Sequence, residues 1–253
     1  MKGLCQMSHN SRRIVNPSSM QGYFGKAQIN EFNPTKCGKN TAHTIFILDR
    51  SYSMQPHLMT TISGFNEFLM GQVQSEVQTD ISLYTFSYDT SREFASVPAQ
   101  EFPPLNTETY VPNGGTALYD AIGQAMTDIN RELSMNPEGQ RPSVQFVILT
   151  DGEENSSTKY TSEVIKNMIS RAEEAGWTFM FLGANIDAFV AGSQIGMRSS
   201  NTIQYGMDNI GSVMASASRY SNDMKYAATR GLSVGETYAN YEFTDKERND
   251  AQK

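Results

Sequence analysis

Residues 44–53, Thr-Ile-Phe-Ile-Leu-Asp-Arg-Ser-Tyr-Ser, constrain this chain more than any other stretch. Ile45 to Leu48 form a short unbroken apolar run, the kind that fills a central strand buried on both faces. The run stops at an acid, Asp49, and two hydroxyls follow at alternate positions, Ser51 and Ser53. In an open α/β sheet, ligands bind in the loops just past the carboxyl ends of the strands. Asp49, Ser51 and Ser53 are compact hard-oxygen donors of the type that suits Mg²⁺ or Mn²⁺. The same residue types also make a plain capping turn ahead of a helix. This stretch alone leaves both readings open.

Two later stretches bear on the choice. Asn113-Gly-Gly-Thr116 precedes a helical pattern, and Val144 to Leu149 is a second apolar strand that runs into Thr150-Asp151-Gly152. Asp-x-Ser-x-Ser, then Gly-Gly-Thr, then a strand ending Thr-Asp-Gly, in that order, resembles the von Willebrand factor A (vWA) domain, over the chain from Thr44 to Gly231. The resemblance implies a metal-ion-dependent adhesion site (MIDAS) built by three loops, with Asp49, Ser51, Ser53, Thr116 and Asp151 at its five positions. Tyr52 departs from the pattern, since many members carry Gly there. The resemblance further implies that Ser51, Ser53 and Thr116 contact Mg²⁺ or Mn²⁺ through their hydroxyls, while Asp49 and Asp151 act largely through bound water. An open position on the ion would take a Glu or Asp carboxylate from a protein partner. The fold expected is α/β and doubly wound. Its sheet is six-stranded and mostly parallel, in the order 3-2-1-4-5-6, with one antiparallel edge strand and helices on both faces. The segment from Gly183 to Met197 resembles the second half of bacterial and phage-encoded vWA proteins of the intracellular type.

The length of 253 residues suits one α/β domain with extensions. The boundaries read as an irregular N-terminal extension over 1–41, partly ordered at best, a vWA domain over 42–230, and a solvated polar tail over 231–253. A hydrophobic content of 38% is enough for a sizeable core. The net charge of −7 argues against a general binder of nucleic acid or anionic membrane, so neither is an expected partner. No apolar run is long enough to span a bilayer, and the N-terminus has no apolar signal segment. Two cysteines, Cys5 and Cys37, do not suggest a disulfide scaffold. The expected location is therefore cytoplasmic, in the host cytoplasm if the chain is phage-encoded. Cys5-x3-His9 and Cys37-x5-His43 hold the donor types of a zinc site, but the spacing is loose and two unrelated thiols are the simpler reading.

Along the chain, Ile62, Phe65, Leu69, Val73 and Val77 predict a helix from Gln55 to Val77, with Pro56 in its first turn and His57 at the surface. Ile81–Phe86 and Glu93–Val97 predict a hairpin. Pro98, Pro103, Pro104 and Pro112 punctuate an extended connection that delivers Gly114, Gly115 and Thr116. Leu118, Ile122, Ala125, Ile129 and Leu133 give the next helix its apolar face. Glu153 and Glu154 gather negative charge beside Asp151, which favours a cation there and also suits a helix N-terminus. After the strand Trp177–Leu182, Asn185 and Asp187 reach the same sheet end as the candidate metal loops, with Asp187 read as a helix cap. Thr202–Tyr205 predicts a last strand, and Ile210, Val213, Met214, Ala217 and Met224 a closing helix.

Enzymatic readings lose support on particular residues. A strand-ending Asp49 acting as a phosphotransfer nucleophile would need an acid two residues on, where Ser51 stands. No Gly-x-Gly-x-x-Gly, phosphate-binding loop or Gly-x-Ser-x-Gly elbow occurs. The function expected is a Mg²⁺-dependent protein-binding adaptor that docks an acidic residue. The alternatives are an assembly subunit whose ion only stabilises the fold and, more remotely, a metal-dependent hydrolase.

Overall fold

The computed structural model describes residues 32–38, 40–184 and 187–253. Six strands make one sheet in the order β3-β2-β1-β4-β5-β6. They are β1 Ala42–Asp49, β2 Thr79–Phe86, β3 Thr90–Pro98, β4 Ser143–Thr150, β5 Thr178–Ala184 and β6 Thr202–Tyr205. Five run parallel, and β3 returns antiparallel to β2 as the expected hairpin. Every residue of β1 and β4 is buried, as a strand covered on both faces requires.

Alternate side chains feed two cores. Phe46 and Leu48 point to one, with α1 Leu58–Val73 and α5 Ile210–Thr229. Ile45 and Ile47 point to the other, with α2 Leu118–Met135, α3 Ser162–Glu174 and α4 Ala188–Gln194. Because β1, β2 and β4 pair in register, Asp49 lies opposite Phe86, and β4 ends beside it at Thr150. The parallel crossovers thus bring three loops to one end of the sheet. Among the described residues, no helix is long and apolar enough to cross a membrane.

Both boundaries of α1 differ from expectation. The helix expected from Gln55 begins at Leu58, and Tyr52–His57 forms a 3-10 turn containing Pro56. Pro56 offers no N–H, and a short 3-10 turn leading into an α-helix tolerates that. The same helix stops at Val73, and Val77 is buried in the approach to β2 instead.

The N-terminal segment is less loose than its composition suggests. Residues 32–38 have no regular structure, yet they are pinned across the amino ends of the strands. Phe32 meets the Trp177 ring edge-on, Trp177 Nε1 donates to Thr35 O at 2.9 Å, and Thr35 N donates to Asn130 Oδ1 at 2.7 Å. Cys37 N donates to Ala175 O at 3.1 Å. Burial pushes the Cys37 thiol up to about 12, and His43 pairs with Ser82 Oγ inside the sheet. Cys5 and His9 lie outside the described residues.

The tail expected to be solvated is instead two packed helices, α6 Val234–Asn240 and α7 Asp245–Asp250, each opened by a capping box, at Ser233/Glu236 and Thr244/Glu247. Tyr238, Phe243 and Ala251 are buried, three apolar anchors that hold an otherwise polar stretch against the domain. Arg219 of α5 grips Glu247 through Nε and Nη2 at 2.6 and 2.8 Å. Arg248 donates to Thr202 O and Ser199 O, covering the outer edge of β6.

Candidate metal centre

Asp49 closes β1 fully buried, and its carboxylate is held from both sides. Ser51 N donates to Oδ1 at 2.7 Å, and Thr150 Oγ1 donates to Oδ2 at 2.6 Å. Burial pushes the Asp49 carboxyl up to about 6, and the bonds from Thr150 and Ser51 oppose that rise. The first loop turns its two hydroxyls together, with Ser51 Oγ and Ser53 Oγ at 3.0 Å, and Ser53 Oγ donates to Asp151 Oδ1 at 2.6 Å. Burial also raises Asp151, against the Ser53 bond and the charge of His57. Asp151 Oδ2 is buried and has no hydrogen-bond partner among the described residues. Thr116 completes the group through Gly152: a Cβ there would meet Thr116 Oγ1 at 3.1 Å and Ser53 Oγ at 3.8 Å. Asp49, Ser51, Ser53, Thr116 and Asp151 therefore converge at one end of the sheet.

The three loops hold one another. Tyr52 N donates to Gly114 O and Asn113 N to Arg50 O, tying the first loop to the second. Asn155 N donates to Thr116 O, while Thr116 N donates back to Asn155 Oδ1 at 3.0 Å, tying the second to the third. The Gly114-Gly115 pair has a reason the sequence did not supply. Gly114 has φ +73°, and the Tyr88 ring lies so close that a Cβ on either glycine would fall within 3.0 Å of it. The helix expected to start at Thr116 begins two residues later, at Leu118.

Several supporting residues carried no signal in the sequence. Tyr110 donates its hydroxyl to Asp49 O at 2.5 Å. Asp120, buried on α2, accepts from the N–H groups of Thr158, Lys159 and Tyr160 and so anchors the third loop. Glu154 accepts from the N–H groups of Ser156, Ser157 and Tyr119. Beside the charge it brings near Asp151, Glu154 thus fastens that loop. Asp187 caps α4 through Val190 N at 3.0 Å, as expected; Asn185 lies outside the described residues.

The donor set suits a hard cation. Among the described residues no three His, Cys, Asp or Glu side chains gather as a metal-ligand group. What gathers here is two desolvated carboxylates and three hydroxyls, an all-oxygen set that Mg²⁺ or Mn²⁺ accepts. Two buried acids side by side, one with an orphaned oxygen, are costly without a compensating positive charge. The residues fit such an ion.

The sequence pattern of the von Willebrand factor type A domain matches residues 44–227, well over half of the chain. No curated protein sequence matches it. Among solved structures, the vWF domain of the type V pili tip protein Mfa5 from Porphyromonas gingivalis is similar at 10% identity and a TM-score of 0.55. That match covers 73% of this chain and 96% of the other. Proximal thread matrix protein 1 from the mussel byssus is similar at 15% identity and a TM-score of 0.52, covering 77% of this chain and 47% of its own. The same mussel protein with a zinc-occupied MIDAS motif is similar at 12% identity and a TM-score of 0.52, over 75% and 48%. The chain thus spans about half the length of the mussel protein. At these identities the likeness concerns the fold.

Proposed function

Because the chain belongs to the von Willebrand factor type A domain family, we propose that it is a protein-binding module whose recognition depends on a divalent cation. Ser51, Ser53, Thr116 and Asp151 would hold the ion, with Asp49 behind them. The observation that carries the reading is Asp151 Oδ2, a buried carboxylate oxygen without a donor among the described residues. When bound, Mg²⁺ or Mn²⁺ would supply a partly unsatisfied positive charge to which a Glu or Asp of a partner can bind. The zinc-occupied motif of the mussel protein lends support by analogy.

The chain's own residues do the rest. Thr150, Tyr110 and Asn155 fix the loops before any partner arrives, so little ordering cost falls on binding. The surrounding face offers exposed Tyr52, Tyr88, Val111 and Val190, large side chains that would contribute contact area around a central anchor. The polar groups are committed to orienting one another, and no acid stands two residues after Asp49 to act as a phosphotransfer acid. The module is accordingly read as non-enzymatic.

The test is thermal unfolding of the full chain with Mg²⁺, Mn²⁺ and EDTA. An ion at a hundred times its dissociation constant should add about 2.7 kcal/mol, and EDTA should remove it. Asp49→Ala should lose the response. An equal shift in wild type and variant would place the ion elsewhere.

A further inference from the structure

A groove of about 200 Å³ opens beside the hydroxyl cluster, between the start of α2, the loop after β4, and α4. Gly152 forms part of its wall, and the same glycine faces Thr116 Oγ1 and Ser53 Oγ. Groove and candidate ion site therefore share a boundary. A water molecule takes about 30 Å³ of liquid volume, so this space suits an extended side chain better than a lone water.

Its lining has two characters. Leu118, Val190 and Ala191 give an apolar surface, and Val190 is 52% exposed. Glu153, Glu154 and Asp187 supply carboxylates, and they are not equivalent. Glu154 is committed to three backbone N–H groups and the Ser157 hydroxyl. Asp187 uses Oδ1 to cap α4, and Glu153 is exposed. Among the described residues, no cation forms an ion pair with Glu153 or Asp187. An apolar wall ending at two uncompensated carboxylates complements a long side chain with an aliphatic stem and a cationic head.

We propose that this groove receives a Lys or Arg from the same partner segment that presents its acid to the ion. This rests on the ion-dependent reading of the neighbouring centre and narrows the partner to segments carrying a base and an acid close together. Opposite charges set side by side also reject the reversed register. An acid in the groove meets Glu153 and Asp187, and a base at the centre meets a cation.

The test selects random short peptides displayed on beads against the full chain in Mg²⁺, then measures their binding by fluorescence anisotropy. Selected sequences should carry Asp or Glu with Lys or Arg at a recurrent spacing. Replacing that Lys or Arg by norleucine, which keeps an aliphatic stem, should weaken binding roughly two- to fivefold. The loss should disappear in the double variant Glu153→Gln with Asp187→Asn, since Asn still caps α4. Added salt should erode the preference in wild type and leave the double variant unchanged. Acid-bearing, Mg²⁺-dependent peptides with no preference for a base would overturn the groove and leave the centre standing. Base-dependent binding indifferent to EDTA and to the acid would support an anionic, base-accepting groove and overturn the ion reading. Peptides with neither feature would overturn both. The norleucine comparison uses wild-type protein, so it decides the matter even if the double variant folds poorly.

Discussion

Lys225 lies on α5 at 2% exposure, with its ammonium group directed at neutral partners, Gln72 Oε1 and Thr79 Oγ1. Burial pushes its amine down to about 7 from an ordinary 10.5. A lowered folded value means that, between about 7 and 10.5, the unfolded chain holds a proton that the folded chain does not. Stability therefore rises with pH across that window, and the penalty is complete below it. Urea denaturation should show a slope of up to about 1.4 kcal/mol per pH unit. Lys225→Met should flatten that slope and be the more stable protein at neutral pH. Gln72 would still have Ser221 as a donor at 3.1 Å. Asp151 is the converse case, an acid raised by burial. Without an ion, Asp151→Asn should melt higher than wild type at neutral pH, and it should not respond to Mg²⁺. If this variant melted lower without metal, an internal donor would already satisfy Asp151.

Between elements, the informative contacts are those that a pattern of residue types cannot encode. Asp49, Ser51 and Ser53 stood out as oxygen donors after a strand, the resemblance to the vWA domain added Thr116 and Asp151, and the fold brings all five to one end of the sheet. Tyr110, Asp120 and Asn155 were not legible, because their partners lie about 40 residues or more away and nothing local marks them. The glycines of the second loop were legible as glycines, but the Tyr88 ring that demands them was not. Gly115→Ala should accordingly displace Tyr88 or Ser156, whose Oγ would lie 2.3 Å from the new carbon. The expected result is a weakened Mg²⁺ response with far-UV circular dichroism unchanged. The segment at 32–38 makes a separate case. Its Ser, Asn and Gly neighbours read as loose, yet Phe32 fills space against Trp177. Phe32→Ala should cost about 3 kcal/mol in chemical denaturation, whereas a dangling extension would cost nothing measurable.

For the molecule as a whole, the sheet order followed from the resemblance to the vWA domain and is the order observed, while the C-terminal end was not foreseen. Its helices lie beyond the family match, and their buried apolar anchors, Tyr238, Phe243 and Ala251, are too few for a periodic signal. They close the β6 edge, and Phe243 packs on Tyr220 at 4.6 Å. Removing residues 232–253 should lower the melting temperature and produce concentration-dependent association in light scattering, as an uncovered edge strand invites pairing. A truncated chain that stays monomeric with unchanged melting would show that the edge needs no cover. Trp177, the chain's sole tryptophan, lies flat on Phe146 at 5.7 Å, at the pole away from the loops. Its indole emission is thus a spectroscopic witness for the frame alone. It should stay constant while ions or peptides are titrated at the opposite pole, and it should change only when the strands part.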